Sequence, residues 1–170
     1  MLSLALLRHA KSSWDATDID DFDRPLNDRG RKAAPLMGEA LKELNFTPDL
    51  ILCSPAQRTR ETLALISQAV KDAPVTFDDE LYLTSQETLY ERLKATPVGI
   101  KRVLLIGHNP GMHGLALSLT GTGDAKSISR LEDKFPTAAL AIFTFPQTSW
   151  RELVPASGHL EAFVTPRDRA

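Results

Sequence analysis

Four polar residues of this 170-residue sequence could together bind and transfer a phosphoryl group: Arg8, His9, Arg58 and His108. Each of them lies at or shortly after the end of a short apolar run. A guanidinium group can donate two parallel hydrogen bonds to phosphate oxygens, so paired arginines indicate a site for a dianionic phosphoryl group. Taken singly, each residue could equally be a solvated charge or a structural ion-pair partner. Their chemistry therefore depends on a fold that brings all four together.

The hydrophobic pattern supplies such a fold. Short apolar runs predict four strands, which are Leu2–Leu7, Asp49–Cys53, Val75–Phe77 and Arg102–Ile106, and all but Val75–Phe77 are expected to be buried. Arg8 and His9 follow the first strand, Ser54 and Arg58 the second, and His108 the fourth. Ligands of open α/β sheets bind at the carboxyl ends of the strands, where the N-termini of helices also favour anions. We therefore expect the four residues to converge on one crevice.

Helices and a hairpin complete the predicted fold. Helical periodicity predicts four helices, at Asp28–Leu44, from a Ser54 cap to about Val70, at Gln86–Ala95 and from Pro110 to about Leu119. Gly121–Glu132 is predicted to be a polar connection, and Ala139–Phe145 with Arg151–Val154 a β-hairpin. The order of elements predicts an α/β fold, a three-layer α/β/α sandwich with a mixed, mainly parallel sheet. We expect one domain over residues 1–170, with a C-terminal tail from about residue 160 that frays at its end.

The bulk properties exclude several classes of protein. A formal net charge of −2 argues against binding to nucleic acid or to an anionic membrane surface. A single cysteine, Cys53, cannot form an internal disulfide, which favours a reducing cytoplasm. Four residues separate Cys53 from Arg58, one fewer than a cysteine phosphatase loop requires, so Cys53 is expected to pack in the core. No zinc, P-loop or dinucleotide motif is present in the sequence, and we expect no metal and no cofactor.

Five segments of the sequence resemble the histidine phosphatase superfamily, whose fold is phosphoglycerate mutase-like, and within it the SixA-type phosphohistidine phosphatase branch. The resemblance extends from about Leu2 to Phe145, and its segments occur in the same order as in the family. They are Leu6–Ser12 with its Arg-His-Ala signature, Arg24–Gly30, Ser54–Thr62, Ile106–Gly111 and Phe135–Leu140.

The resemblance implies a role for each candidate residue. His9 is the implied nucleophile, and Arg8, Arg58 and His108 form the implied phosphate pocket. Larger members of the superfamily place a general acid after the third strand, where Glu80 is the nearest match. Glu80 could equally belong to a solvated strand end. The resemblance also implies that the sheet contains one antiparallel strand.

The mechanism expected from these roles is a double displacement. The neutral imidazole of His9 attacks phosphorus, while Arg8, Arg58 and a protonated His108 hold the phosphoryl oxygens. Water then hydrolyses the phosphohistidine. A phosphorylated protein histidine is the favoured substrate, because its leaving imidazole needs no strong acid. Two alternatives stay open, which are a phosphomonoesterase or mutase acting on a small phosphorylated molecule, and a non-catalytic module that binds a phosphorylated ligand.

The segment Lys11–Asn27 leaves another choice open. It is rich in aspartate, with Asp15, Asp18, Asp20, Asp21 and Asp23 close to the predicted site. These carboxylates either form a solvated loop or repel acidic partners. Arg24, which ends this acidic stretch, either ties the loop to the sheet edge or adds to the pocket.

Overall fold

A computed structural model describes residues 1–15 and 18–170 and contains one sheet of seven strands. The strands, in chain order, are β1 (Leu2–Arg8), β2 (Leu50–Cys53), β3 (Val75–Phe77), β4 (Arg102–Gly107), β5 (Thr120–Gly123), β6 (Leu140–Phe145) and β7 (Gly158–Val164). Their order across the sheet is β3-β2-β4-β1-β6-β7-β5. Strand β6 is antiparallel to both of its neighbours, and the other pairings are parallel. The prediction of a mainly parallel sheet with one antiparallel strand is confirmed.

Helices cover both faces of the sheet. They are α1 (Asp28–Glu43), α2 (Gln57–Leu65), α3 (Gln86–Lys94), α4 (Gly111–Leu119), α5 (Ala125–Asp133) and α6 (Pro166–Arg169). Alternate residues of β1 point to opposite faces, so Leu4 and Leu6 pack with α3, α4 and α5, whereas Ala5 and Leu7 pack with α1. Burial on both faces explains why the central strands are almost continuously apolar. The three-layer α/β/α sandwich is therefore confirmed.

The structure corrects two predicted elements in the last third of the chain, the polar connection and the hairpin. The segment predicted as a polar connection contains strand β5 and helix α5. The second arm of the hairpin is β7, whereas Trp150–Glu152 forms a 3₁₀ turn. This turn is anchored by the buried indole of Trp150, which donates a hydrogen bond of 2.7 Å to the carbonyl oxygen of Ile100. The buried indole needs an acceptor from a distant part of the chain, and the alternation of apolar and polar residues that predicted a strand here does not reveal that need.

The C-terminal residues form regular structure, contrary to the predicted tail. Residues 160–164 belong to β7, and Pro166–Arg169 form the short helix α6. Thr165 and Asp168 form a capping box at the start of α6. Arg169 then pairs with Glu43 of α1 at 2.8 Å, which ties the end of the chain to the body of the fold.

Helix α2 also differs from its prediction. It begins at Gln57 and ends at Leu65, and a 3₁₀ turn at Ser67–Ala69 follows it. Ser54 lies before the helix and is not its N-cap, so its hydroxyl is available for another partner.

In the described part of the chain, no helix is both long enough and apolar enough to cross a bilayer.

The first turn of α1 packs directly on the segment that leaves β1. Asn27 caps this helix by accepting a hydrogen bond of 2.9 Å from the backbone N–H of Gly30, and its own N–H donates to the carbonyl of Lys11 at 3.0 Å. Gly30 is buried here, and an added Cβ would overlap the carbonyl oxygen of Lys11. The position requires glycine because two backbones approach closely, and this contact fixes the loop after His9.

We expect Gly30→Ala to lower the free energy of unfolding by about 1–3 kcal/mol, because two backbone segments must separate to admit the methyl group. Gly38→Ala in the same helix is the matched control, since a Cβ there meets Ile66 at an ordinary distance of 3.4 Å. Chemical denaturation of both variants checks the prediction. Equal stability of the two variants would contradict the packing described here.

Candidate active site

The strand register places the two predicted histidines side by side. Arg8 of β1 pairs with Gly107 of β4, so His9 and His108 follow at adjacent strand ends. Their ring centroids are 5.2 Å apart. Ser54 follows β2 at the same edge, and its hydroxyl forms a hydrogen bond of 2.8 Å with Nε2 of His108.

A cavity of about 320 Å³ opens at this edge, and we call it the histidine cavity. Arg8, His9, Arg58 and His108 all line it, so the structure brings together the four residues on which the sequence prediction depends. The remaining lining residues come from the loop after β1 and from neighbouring connections, and are Lys11, Ser12, Trp14, Asp21, Arg24, Leu83, Asn109 and Thr137.

His9 is held in a form that can act as a nucleophile. It is 7% exposed, and its Nδ1 lies 2.7 Å from the carbonyl oxygen of Ala10. A carbonyl oxygen can only accept, so Nδ1 carries the proton and Nε2 keeps its lone pair. Burial lowers the pKa of His9 to about 3, although the hydrogen bond to Ala10 opposes this shift, and the positive charges of Arg58 and Arg8 lower it further. His9 is therefore neutral at physiological pH.

His108 is also neutral in the free site, whereas the expected mechanism has it protonated while it holds the phosphoryl oxygens. Burial lowers its pKa to about 3, and the neighbouring His9 and Arg58 contribute to the same shift. Burial is the main cause, because it removes water from the charged form, and the nearby charges of Arg58 and Arg8 act in the same direction. A phosphoryl dianion in the cavity would offset this positive charge and so favour a proton on His108.

The two arginines have different partners. The Nη1 of Arg8 donates a hydrogen bond of 3.1 Å to the carbonyl oxygen of Phe135. Burial, followed by the charge of Arg58, lowers the pKa of Arg8. Arg58 is 2% exposed and donates to the carbonyl oxygen of Asp21 at 2.7 Å and to its carboxylate at 3.0 Å. Asp21 is thus the counterion of Arg58 in the free protein.

Asp21 joins three groups at the wall of the histidine cavity. Its carboxylate accepts hydrogen bonds from Arg58, from Arg24 at 2.7 Å and from the hydroxyl of Tyr82. Burial alone would raise the pKa of Asp21, but these hydrogen bonds outweigh it and hold the pKa well below its usual range. Asp21 is therefore ionised at neutral pH and cannot act there as a proton donor.

Arg24 has both of the roles left open by the sequence. Its Nε donates a hydrogen bond of 3.0 Å to the carbonyl oxygen of Ser13, and its Nη2 donates to the hydroxyl of Ser12, which ties the loop to the sheet edge. The guanidinium group also lies over the ring of Trp14, 3.2 Å from the ring centroid, and lines the cavity. The loop after β1 is therefore anchored through Arg24 and Asp21.

Glu80 does not lie where the resemblance placed it. It is exposed and lines a separate depression beside α3, together with Glu87, Glu91 and Arg92. The 3₁₀ turn Asp79–Leu81 buries Leu81 and leaves Glu80 facing solvent. Among the described residues that line the histidine cavity, Asp21 is the only carboxylate.

Sequence reasoning missed two participants, Asp21 and Tyr82. Asp21 is one of several aspartates in an acidic loop, and nothing in the loop sequence distinguishes it from its neighbours. Tyr82 lies two residues after Glu80, and its ring lies edge-on to His108 with centroids 5.5 Å apart. Asp21 can be recognised only once the fold is known, because the buried guanidinium groups of Arg24 and Arg58 then require an anion nearby.

Comparison with known proteins agrees with this geometry. The family model of the histidine phosphatase superfamily (branch 1) matches residues 4–82. A solved structure from Agrobacterium tumefaciens, assigned as the phosphohistidine phosphatase SixA, superposes with a TM-score of 0.82 at 30% identity, over 97% of this chain and 98% of that one. The chain belongs to the histidine phosphatase superfamily.

Structures of SixA proteins superpose on this chain with TM-scores of 0.77 to 0.82, and those of other phosphatases, among them a phosphoserine phosphatase from Entamoeba histolytica, with TM-scores of 0.60 to 0.66. A structure of the protein histidine phosphatase SixA with tungstate shares the fold at a TM-score of 0.77 and 23% identity, over 98% of this chain and 99% of that one. A Mycobacterium leprae protein is 34% identical over 165 residues, which are 95% of this chain and 100% of the relative. The similarity thus extends over almost the whole chain, beyond the part that the family model matches.

We expect neither His9 nor His108 to titrate between about pH 5 and pH 8 in the free protein, because both pKa values are lowered to about 3. Unfolding returns the pKa of each imidazole to its ordinary value of 6.5, so the unfolded state binds more protons between about pH 3 and pH 6.5. The contribution of both groups to the free energy of unfolding must therefore increase as the pH rises through that window. Histidine NMR titration checks this, and midpoints near neutrality for both rings would contradict it.

Proposed function

We propose that this protein is a phosphatase that works through a phosphohistidine intermediate on His9 and acts on protein phosphohistidine. The observation that carries the proposal is the placement of a neutral imidazole, with a free Nε2 lone pair, in a cavity also lined by Arg8, Arg58 and His108. The similarity to a protein assigned as SixA, at 30% identity over nearly the whole chain, supports the same reaction class.

The first step forms one bond and breaks another. Nε2 of His9 attacks phosphorus in line with the leaving group, and the leaving atom takes the electron pair of the broken bond. Arg8 and Arg58 stabilise the negative charge on the phosphoryl oxygens. The bound dianion favours a proton on His108, which then donates a hydrogen bond to an oxygen of the transferred group. Water attacks the phosphorus in the second step, restoring His9 and releasing phosphate.

The choice of substrate follows from the proton donors at the site. Asp21 is ionised, and Glu80 lies outside the histidine cavity. A phosphate ester leaves as an alkoxide and gains much from a general acid, typically about 10²–10⁴-fold in rate. A phosphorylated imidazole can already carry a proton and leaves without that help. The site therefore favours the P–N bond of phosphohistidine over an ester.

Two further properties belong to the same proposal. We expect the reaction to need no metal ion, because Arg8 and Arg58 supply the positive charge that a cation would otherwise supply. We also expect a cytoplasmic location, on the grounds that the chain has one cysteine, Cys53, which is free and buried in the core.

A substrate panel tests the proposed function. We expect kcat/KM for a phosphohistidine peptide to exceed that for a phosphoserine peptide and for a sugar phosphate by about 10²-fold or more, the contribution of the missing acid. His9→Ala should abolish turnover of every substrate, since it removes the attacking atom. The rates of the wild-type protein with each substrate should be unchanged in EDTA, because we expect the reaction to need no metal ion.

His159→Ala is the matched control for loss of a histidine, because His159 is exposed on β7 and lies outside the histidine cavity. A large preference for the sugar phosphate would point instead to a phosphomonoesterase or mutase. Turnover by His9→Ala at the wild-type rate would exclude His9 as the nucleophile. Binding of phosphorylated ligands without turnover by the wild-type protein would indicate a binding module.

A further inference from the structure

A second groove, of about 440 Å³, adjoins the histidine cavity, and we call it the side groove. The two depressions share Lys11 and Thr137 in their walls. The side groove runs between the first turns of α1, the end of α5 and the segment where β7 passes into α6. A substrate whose phosphorylated side chain enters the histidine cavity can therefore extend directly into the side groove.

The rim of the side groove is basic. Lys11, Arg29, Lys134 and Arg167 line it with exposed side chains, and none of the four forms an ion pair within residues 1–15 and 18–170. Of the acidic groups in the lining, Asp168 is paired with Arg130 at 2.6 Å, which leaves Asp133. Four cations without an ion-pair partner against one carboxylate give the side groove a local excess of positive charge, although the net charge of the chain is −2.

The lining of the side groove also contains apolar side chains. Ala33, Pro136, Phe163 and Pro166 contribute to it, and Phe163 is 5% exposed. A charged rim around apolar contacts is typical of a surface that binds a polypeptide. A site for free phosphate would instead present several converging donors to one anion. The composition therefore favours a peptide segment that carries both apolar and acidic side chains.

We propose that the side groove binds an acidic segment of the phosphorylated protein substrate, adjacent to the phosphohistidine held in the histidine cavity. The inference deepens the proposed function and rests on it for the position of the phosphoryl group. Attraction to the basic rim orients the substrate before reaction and raises the rate of productive encounter. Asp18, Asp20 and Asp23 are exposed beside Asp21, so this part of the loop after β1 repels the same acidic segment.

Peptide binding at low salt tests the proposal. The probes are two fluorescent peptides with the same non-hydrolysable phosphohistidine analogue, one flanked by glutamates and the other by glutamines. We expect wild-type protein to bind the glutamate peptide about tenfold more tightly, and Lys134→Glu/Arg167→Glu to lose that preference. All variants should keep wild-type kcat/KM for p-nitrophenyl phosphate, which does not reach the side groove.

Arg151→Glu is the matched control, because Arg151 is exposed in the connection between β6 and β7, at the opposite end of β7 from Arg167. Equal binding of the two peptides by wild-type protein would overturn the proposal, as would an equal loss of preference in Arg151→Glu. Inhibition of p-nitrophenyl phosphate turnover by pyrophosphate is a further arm. If Lys134→Glu/Arg167→Glu weakened inhibition by pyrophosphate as much as it weakened peptide binding, the rim would recognise free phosphate instead of a polypeptide.

These results are separable from the substrate panel. Binding of the glutamate peptide needs no hydrolysis, so a preference that depends on Lys134 and Arg167 would support the side groove even if phosphohistidine were a poor substrate. Rapid hydrolysis of phosphohistidine without any preference for the glutamate peptide would support the proposed function and exclude the acidic segment.

Discussion

Two guanidinium groups lie close together beside a half-closed cavity, and this concentration of positive charge governs the rest of the site. Arg8 and Arg58 each lower the pKa of the neighbouring imidazoles, and Arg58 also lowers the pKa of Arg8. Such an arrangement is stable only with an anion nearby, because an unpaired buried charge is strongly destabilising. Asp21 supplies that anion in the free protein, because its carboxylate accepts a hydrogen bond of 3.0 Å from Arg58. In the proposed function, a phosphoryl group supplies that anion when substrate binds.

The same charge explains how a histidine can be poised for attack without a dedicated base. Burial and the two arginines keep His9 unprotonated, and its hydrogen bond to Ala10 directs the lone pair of Nε2 away from the backbone. His108 lies within 5.2 Å of His9 but bonds to Ser54, so the neighbouring rings have different partners. In the proposed mechanism, this difference in hydrogen bonding allows His9 to attack while His108 holds an oxygen of the transferred group.

Much of the fold and of the site could be predicted from the sequence, because both depend on local patterns that a single chain displays. Apolar runs that end in Arg8-His9 and in Gly107-His108 fix two strands and the edge they share. The parts that sequence reasoning missed are set by tertiary contacts. β7 was mistaken for a tail because its pairing with β6 lies across a long connection, and Trp150 anchors that connection through a distant carbonyl.

The same distinction holds inside the site. Glu80 matched a family position in sequence, but the 3₁₀ turn that buries Leu81 directs it to solvent. Asp21 gave no signal because its role depends on Arg58, which lies 37 residues further along the chain. Long-range charge pairing is therefore the information that the linear pattern lacks.

Under the two proposals, the histidine cavity and the side groove perform separate tasks. Chemistry requires a small, positively charged cavity, whereas recognition of a protein requires a broader surface with apolar contacts. Lys11 and Thr137 belong to both depressions, and Lys11 also receives the backbone contact from the start of α1. The close packing at Gly30 thus positions Lys11, which lies between the two depressions.

The most direct test of the account is to trap the phosphorylated enzyme during turnover of a phosphohistidine peptide. Rapid mixing, quenching in alkali and peptide mapping by mass spectrometry would locate the transferred group. We predict a phosphoryl group on His9, absent from His9→Ala and still present when EDTA is added. A phosphoryl group on His108 or Ser54, or turnover with His9 unmodified at every mixing time, would contradict the central claim that His9 accepts the phosphoryl group.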